Sequence, residues 1–178
     1  MKMRTHTCGE LRPADAGAKV NLCGWVDSVR DHGGLIFIDL RDRYGLTQCV
    51  FDPQDSQAAW DAAQACRAEY VVRISGEVRV RPPEMVNERI ATGGIEVRSG
   101  AIEVLNKALT PPFPLDDREA GHVSEDLRLE FRYLDLRRPG MQEALMRRHR
   151  ILQAARNYLD EQGFVDIETP ILTKSTPE

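Results

Sequence analysis

The sequence has no long apolar run and no metal-site pattern. No apolar run in its 178 residues approaches the length of ~20 residues that a membrane span needs. The N-terminal string MKMRTHTCGE lacks the apolar core of a secretion signal. The four cysteines lie far apart, with no C-x-x-C pair and no histidines at zinc spacing. These absences argue against a membrane protein, a disulfide scaffold and a zinc site, and they predict free thiols in the cytoplasm.

An excess of positive charge is also absent. The 24 lysines and arginines are outnumbered by 28 aspartates and glutamates, which gives a net charge of −4. A generally basic coat for nucleic acid is excluded, so any RNA binding has to use a local basic face. The length and the 42% of hydrophobic side chains fit one domain plus part of another.

Strand patterns dominate the first hundred residues. An alanine-rich segment at 56–69 predicts one helix after the third strand, and Gly24 permits a bend in the long first strand, a device that curls a small sheet into a barrel. This order of elements is that of a five-stranded OB-fold barrel. Alternating apolar and polar side chains predict its strands at 19–30, 35–41, 46–52, 70–81 and from Ile95 to Val104.

The proline-rich string TPPFPLDD marks a domain boundary. We expect a first domain at 1–107, a linker at 108–122 and a truncated second domain at 123–178. In the second domain a helix is predicted at 141–162, with Gly163 as its C-terminal glycine, followed by a strand at 164–169. Its apolar stripe consists of Leu145, Ile151, Leu152, Ala155, Tyr158 and Leu159.

Phe37 is an aromatic residue on the polar side of the second predicted strand. The period-2 rule puts Ile36, Ile38 and Leu40 on the opposite side. Phe37 is either covered by a loop or a platform on which bases of single-stranded nucleic acid stack. Arg79 and Arg81 share a strand face, and their cationic side chains favour the second interpretation.

Five strings in order resemble the N-terminal third of bacterial aspartyl-tRNA synthetases: CGWV, RDHGGLIFIDLRDRYGLTQCVFDP, TPPFPLDD, RYLDLRRP and GFVDIETPILTKSTPE. The last resembles motif 1 of class II synthetases. The resemblance implies a mainly β chain, in which an OB-fold anticodon-binding domain precedes the motif 1 helix and strand of an α+β catalytic domain. Pro170 matches the motif 1 proline, which lies at the family's dimer interface.

For the whole protein the resemblance implies a homodimeric ligase that attaches L-aspartate to tRNA with ATP and Mg²⁺. Motifs 2 and 3 would lie beyond residue 178, so we expect no catalytic residue, metal or cofactor in this chain, and no activity from the chain alone. Glu178 matches a position that contacts the amino acid.

The family's anticodon-reading positions match residues of the predicted barrel domain. Gln48 alternates with Thr47 and Cys49 and could face inward, so its assignment to the anticodon site rests on the resemblance alone. The matching residues are Arg30, Phe37, Gln48, Arg79, Arg81 and Glu96, with Asn87 as a weaker match.

His32 and Pro83 match positions tied to tRNA discrimination. A histidine at this turn is typical of relatives that charge both Asp and Asn tRNAs, and Pro83 departs from the residue types that contact a base. The other interpretation of His32 is a solvent-exposed turn residue with no role.

Two other classes stay open. A stand-alone OB module for single-stranded RNA or DNA explains only the first 107 residues. A dimerisation or regulatory protein derived from a synthetase explains the helix without catalysis.

Overall fold

A computed structural model describes residues 3–117, 122–172 and 174–175. It has two units, Met1–Pro112 and Phe113–Glu178, which divide inside the segment predicted as a linker. The first unit holds the strands β1 (Lys19–His32), β2 (Leu35–Asp42), β3 (Gly45–Phe51), β4 (Val71–Val80) and β5 (Ile95–Asn106), and the helix α1 (Gln57–Gln64).

The five strands close into a barrel in the order β1-β2-β3-β5-β4. β3 and β5 pair in parallel, and the other neighbours are antiparallel. The predicted five-stranded OB-fold barrel, with its helix between β3 and β4, is confirmed.

β1 closes the barrel because it changes partner along its length. From Lys19 to Trp25 it pairs with β4, and from Trp25 to His32 it pairs with β2. Gly24 lies at this change, where an added Cβ would come within 2.4 Å of the Arg41 carbonyl oxygen. Only glycine tolerates so close an approach of another backbone.

Alternating side chains of all five strands fill the barrel. Thr47 is buried among them, with its Oγ1 donating a hydrogen bond of 2.6 Å to the Cys8 carbonyl oxygen.

The four cysteines are free, as predicted, and burial raises the pKa of the Cys49 thiol to about 12. The largest fully buried side chains are Phe51, Leu11, Leu22, Ile36, Ile38, Leu40, Ile74 and Ile95.

α1 begins as predicted and ends earlier. Ser56 caps it by accepting a hydrogen bond of 3.3 Å from the Ala59 N–H. The predicted extension to Glu69 is wrong, because Glu69 takes a left-handed φ of 65° and donates its N–H to the Val26 carbonyl oxygen at 2.7 Å. The chain therefore leaves the helix to meet β1.

The second unit is described as α2 (Glu125–Glu130), α3 (Arg132–Asp135) and α4 (Pro139–Glu161). α4 is the predicted long helix, and Gly163 ends it with a φ of 81°. The Gly163 N–H donates to the Asp160 carbonyl oxygen at 2.9 Å and the Phe164 N–H to that of Leu159 at 3.0 Å, which is a Schellman motif.

The strand predicted at 164–169 is not formed. A strand needs a neighbour to bond its N–H and C=O groups, and no strand occurs in the described part of the second unit. The apolar side chains of Phe164, Val165 and Ile167 are exposed. The alternation in the sequence is therefore real, but it has no sheet to join here.

The contact at Gly24 gives a test of barrel closure. We expect Gly24→Ala to lower the free energy of unfolding by about 1–3 kcal/mol, because β1 and β2 have to separate to admit the methyl group. Urea unfolding measures this change. Gly100→Ala is the matched control, since an added Cβ there meets nothing within 4 Å, and it should change the value by less than about 1 kcal/mol. Equal effects of the two substitutions would contradict the role of Gly24.

Candidate nucleic-acid interface

Register brings polar side chains of β1, β2 and β3 together on the outside of the barrel. Arg30 lies opposite Phe37, and Ser28 lies opposite Asp39. Asp39 in turn lies opposite Gln48. These residues alternate with the buried core residues of their strands, so they point away from the barrel interior.

The row continues across β5 and β4. Cys49 pairs with Val97, and the residues that precede them in these parallel strands are Gln48 and Glu96. Glu96 lies opposite Arg79. We define the polar face as Ser28, Arg30, Phe37, Asp39, Gln48, Arg79 and Glu96.

Phe37 is the aromatic member of the polar face. It is half-buried, with Arg30 beside it on β1 and Val50 beside it on β3. It therefore belongs neither to the core nor to a fully covered layer. An outward ring next to a guanidinium can stack on a base.

Arg30 is held by a carboxylate. Its Nη2 lies 2.7 Å from Asp39 Oδ2, which also accepts a hydrogen bond of 2.8 Å from Ser28 Oγ. The Arg30 side chain is 55% exposed and that of Asp39 18%. The guanidinium is thus fixed in direction and open to solvent.

Arg79 and Arg81 differ, although the sequence put them on one face. Arg79 is exposed on β4. Arg81 is only 9% exposed, because β4 ends at Val80 and the following loop folds back over it. Its backbone N–H donates to Gly94 O at 3.0 Å and its Nη1 lies 3.4 Å from Met85 O.

The buried Arg81 guanidinium faces the acidic part of the polar face. Its Nε is 3.9 Å from Glu96 Oε2. Burial lowers the pKa of Arg81, while Glu96 and then Asp39 oppose that shift. Arg81 therefore forms a long ion pair with Glu96 and is shielded from solvent.

Gln48 lies on the outer side of β3. Thr47 and Cys49 on either side of it are fully buried, whereas Gln48 is half-buried. The inward alternative for Gln48 is excluded. Gln48 lies opposite Asp39 in the register, and an amide side chain can both donate and accept hydrogen bonds in one plane.

Asn87 holds the loop between β4 and β5. Its Oδ1 accepts a hydrogen bond of 3.1 Å from the Arg89 N–H, and its own N–H donates to Gly93 O at 3.1 Å. Pro83 is exposed in the 3₁₀ turn Pro83–Met85 of the same loop. Neither residue belongs to the polar face.

His32 is exposed at the end of β1, opposite Leu35. Gly33 and Gly34 join β1 to β2 with φ of 62° and 82°, the geometry of a type I′ turn. His32 is two residues from Arg30 and so lies on the same side of the strand. The turn is fixed from the helix, because Trp60 Nε1 donates a hydrogen bond of 2.8 Å to Gly34 O.

Sequence reasoning missed the parts played by Asp39, Ser28 and Trp60. The alternation that singled out Phe37 also put Asp39 on its side, which was the available signal. The link from Trp60 to the turn had no signal in the sequence. Among the residues predicted in the second unit, Pro170 is exposed after α4, and Glu178 lies outside the described residues.

Residues 3–117, 122–172 and 174–175 contain no group of three or more His, Cys, Asp or Glu side chains arranged to hold a metal ion. None of the described helices has the length and apolar character needed to cross a membrane.

Both parts of the chain match known families. Residues 20–107 match the OB-fold nucleic acid binding domain, and residues 124–178 match class II tRNA synthetases (D, K and N). Among solved structures, the asparaginyl-tRNA synthetase from Pyrococcus horikoshii superposes with a TM-score of 0.82 at 28% identity, over 97% of this chain and 39% of that one. The aspartyl-tRNA synthetase from Entamoeba histolytica gives 0.79 at 25% identity, over 93% and 39%.

Curated relatives are more similar in sequence. The aspartate–tRNA(Asp/Asn) ligase of Caldanaerobacter subterraneus subsp. tengcongensis is 53% identical over 98% of this chain, and that of Salinibacter ruber is 54% identical over 98%. The chain spans 29% and 28% of the lengths of these two relatives. In the order of its barrel and its α4 segment, the chain is thus similar first to the OB-fold nucleic acid binding domain and then to the class II tRNA synthetases of the D, K and N group.

Proposed function

We propose that this chain is the anticodon-recognising part of an aspartate–tRNA ligase. The observation that carries the proposal is the position of Phe37, half-buried on the outside of an OB-fold barrel with Arg30 beside it. The whole protein would attach L-aspartate to tRNA(Asp). We assign anticodon binding to residues 1–107, the linker to 108–122 and the start of the catalytic domain to 123–178.

The polar face can recognise bases by stacking and by hydrogen bonds to their edges. Phe37 offers a ring for an unstacked anticodon base. Gln48 can donate and accept in the plane of a central uracil, while Glu96 accepts from base amino groups and Arg79 donates to base oxygens and nitrogens. Anticodon loops suit such a face because their bases are unpaired.

Asn87 and Arg81 take a supporting part in this proposal. Arg81 lies within ion-pair distance of the Glu96 carboxylate, at 3.9 Å, and Asn87 shapes the loop that covers Arg81. Pro83, exposed on that loop, and His32, exposed at the β1–β2 turn, could each meet the RNA from the rim and influence which tRNA is accepted.

Amino-acid activation is proposed for the longer protein. It requires ATP and Mg²⁺, because the transferred group carries charge that positioned arginines and metal ions stabilise. We propose that Glu178 contacts the aspartate there. In this chain, the proposed task is to bind RNA.

A second copy of the chain is the proposed partner of α4. Its apolar stripe is open in the described second unit, with Leu145, Ile151 and Tyr158 at 44%, 63% and 63% exposure. A helix face of this kind is stable in water when another apolar surface covers it. We propose that the motif 1 segment, with Pro170, forms a homodimer contact. A stand-alone single-strand-binding module leaves this segment unexplained.

Phe37→Ala tests the stacking contact. We expect the variant to bind an RNA stem-loop with the Asp anticodon more weakly by about 1–3 kcal/mol, because the ring no longer covers a base. Fluorescence anisotropy at fixed salt gives the dissociation constants. Tyr44→Ala is the control, since Tyr44 is an exposed aromatic beside Arg43 outside the polar face. An unchanged dissociation constant for Phe37→Ala would remove this residue from the site.

Arg79→Ala separates base recognition from phosphate contact. If Arg79 binds a base edge, its removal should weaken binding of the Asp anticodon more than that of a scrambled loop. Arg73→Ala is the matched control on the same side of β4, where Arg73 pairs with Glu103 at 2.6 Å. Equal losses for the two RNAs, with a smaller salt dependence, would show that Arg79 contacts only phosphate.

His32→Leu tests a relaxed choice between Asp and Asn tRNAs. The two anticodons share their central base and differ at the third, so His32 would act by holding the loop through a hydrogen bond that leucine lacks. In the longer enzyme, charging of tRNA(Asn) should fall more than that of tRNA(Asp), by on the order of 1 kcal/mol. The measurement is the ratio of kcat/KM values. An unchanged ratio would make His32 a surface turn residue.

A further inference from the structure

Asp39 is a carboxylate in the middle of a face proposed to bind an anion. In register it stands between Ser28 of β1 and Gln48 of β3, and its side chain is 18% exposed. It accepts hydrogen bonds from Ser28 Oγ at 2.8 Å and from Arg30 Nη2 at 2.7 Å, both at Oδ2. Two donors on one oxygen fix the position of the carboxylate and, through it, of the guanidinium.

Arg30 depends on Asp39 for its direction. An exposed arginine has many rotamers of similar energy, and ordering it on binding costs free energy. The hydrogen bond to Asp39 selects one direction beforehand. Arg30 lies opposite Phe37 in the β1–β2 register, so a guanidinium held in one direction there can meet the edge of a base stacked on Phe37.

The two carboxylates of the polar face, Asp39 and Glu96, are each paired with an arginine. Arg30 is paired with Asp39 at 2.7 Å, and the Arg81 guanidinium lies 3.9 Å from Glu96. A phosphate that approaches either of these two pairs gains little Coulomb energy, because Arg30 and Arg81 each already face a negative charge. Base edges are neutral and can exchange hydrogen bonds with both partners of a pair.

We propose that Asp39 is a specificity-determining, positioning residue of this face: it holds Arg30 beside Phe37 and disfavours RNA that offers only phosphate charge. The proposal rests on the proposed RNA-binding function. It differs from a purely structural role, in which the carboxylate would only join β1 to β2 and its loss would change stability without changing the choice of RNA.

Asp39→Asn keeps the size of the side chain and removes its charge. The 178-residue chain is titrated with a stem-loop that has the Asp anticodon and with one that has a scrambled loop, at two salt concentrations. We expect the scrambled loop to bind more tightly and with a steeper salt dependence, so that the ratio of the two dissociation constants falls about fivefold.

Asp31→Asn is the matched control. It makes the same change in net charge on the same strand, but Asp31 is exposed and lies on the opposite side of β1 from Arg30. It should leave the ratio within about twofold of the wild-type value. Equal changes of the ratio for Asp31→Asn and Asp39→Asn would show that net charge determines the choice of RNA, and would overturn the proposal.

A double-mutant cycle tests whether Asp39 acts through Arg30. In an Arg30→Gln background, adding Asp39→Asn should change the ratio by less than about twofold, because the arginine to be positioned is gone. An undiminished effect of Asp39→Asn in that background would refute the positioning role.

Ser28→Ala keeps the proposal testable if Asp39→Asn does not fold. It removes one of the two hydrogen bonds at Oδ2 without a change of charge, and should lower the ratio about twofold while the chain stays folded. An unchanged ratio would overturn the proposal. A wild-type chain that binds both RNAs equally would instead contradict the proposed function itself.

Discussion

The whole first unit depends on the strand β1, which changes its pairing partner along its length. β1 is hydrogen-bonded to β4 in its first half and to β2 in its second half, and the change at Trp25 is possible because Gly24 lets the Arg41 backbone approach. Closure leaves no free sheet edge at β1. It also sets the register of β2, from which the positions of Phe37 and Asp39 on the outside follow.

The residue patterns predicted those features of the structure that depend only on residues near one another in the sequence. The alternation of Ile36, Ile38 and Leu40 is local, so it put Phe37 on the outside before any contact was known. Arg81 could not be predicted in this way, because its burial comes from a loop that returns to Gly94. The alternation at 164–169 failed for the same reason, since a strand exists only when another strand bonds to it.

The acidic composition and the proposed RNA binding are compatible because the polar face does not act through net charge. Arg30 faces Asp39 and Arg81 faces Glu96, so the positive charge of both arginines is largely balanced. Such a surface binds polyanions weakly in general and binds more tightly a partner whose hydrogen-bonding groups match its own. Selectivity, rather than strength, is what this arrangement favours.

The hydrogen bond from Trp60 to Gly34 has a practical consequence. The chain has two tryptophans, so its indole N–H groups give two resonances in a proton–nitrogen NMR spectrum. That of Trp60 belongs to a donor on α1 whose acceptor is the turn next to His32. Any partner that displaces this turn would shift the Trp60 resonance while Trp25, within β1, serves as an internal reference.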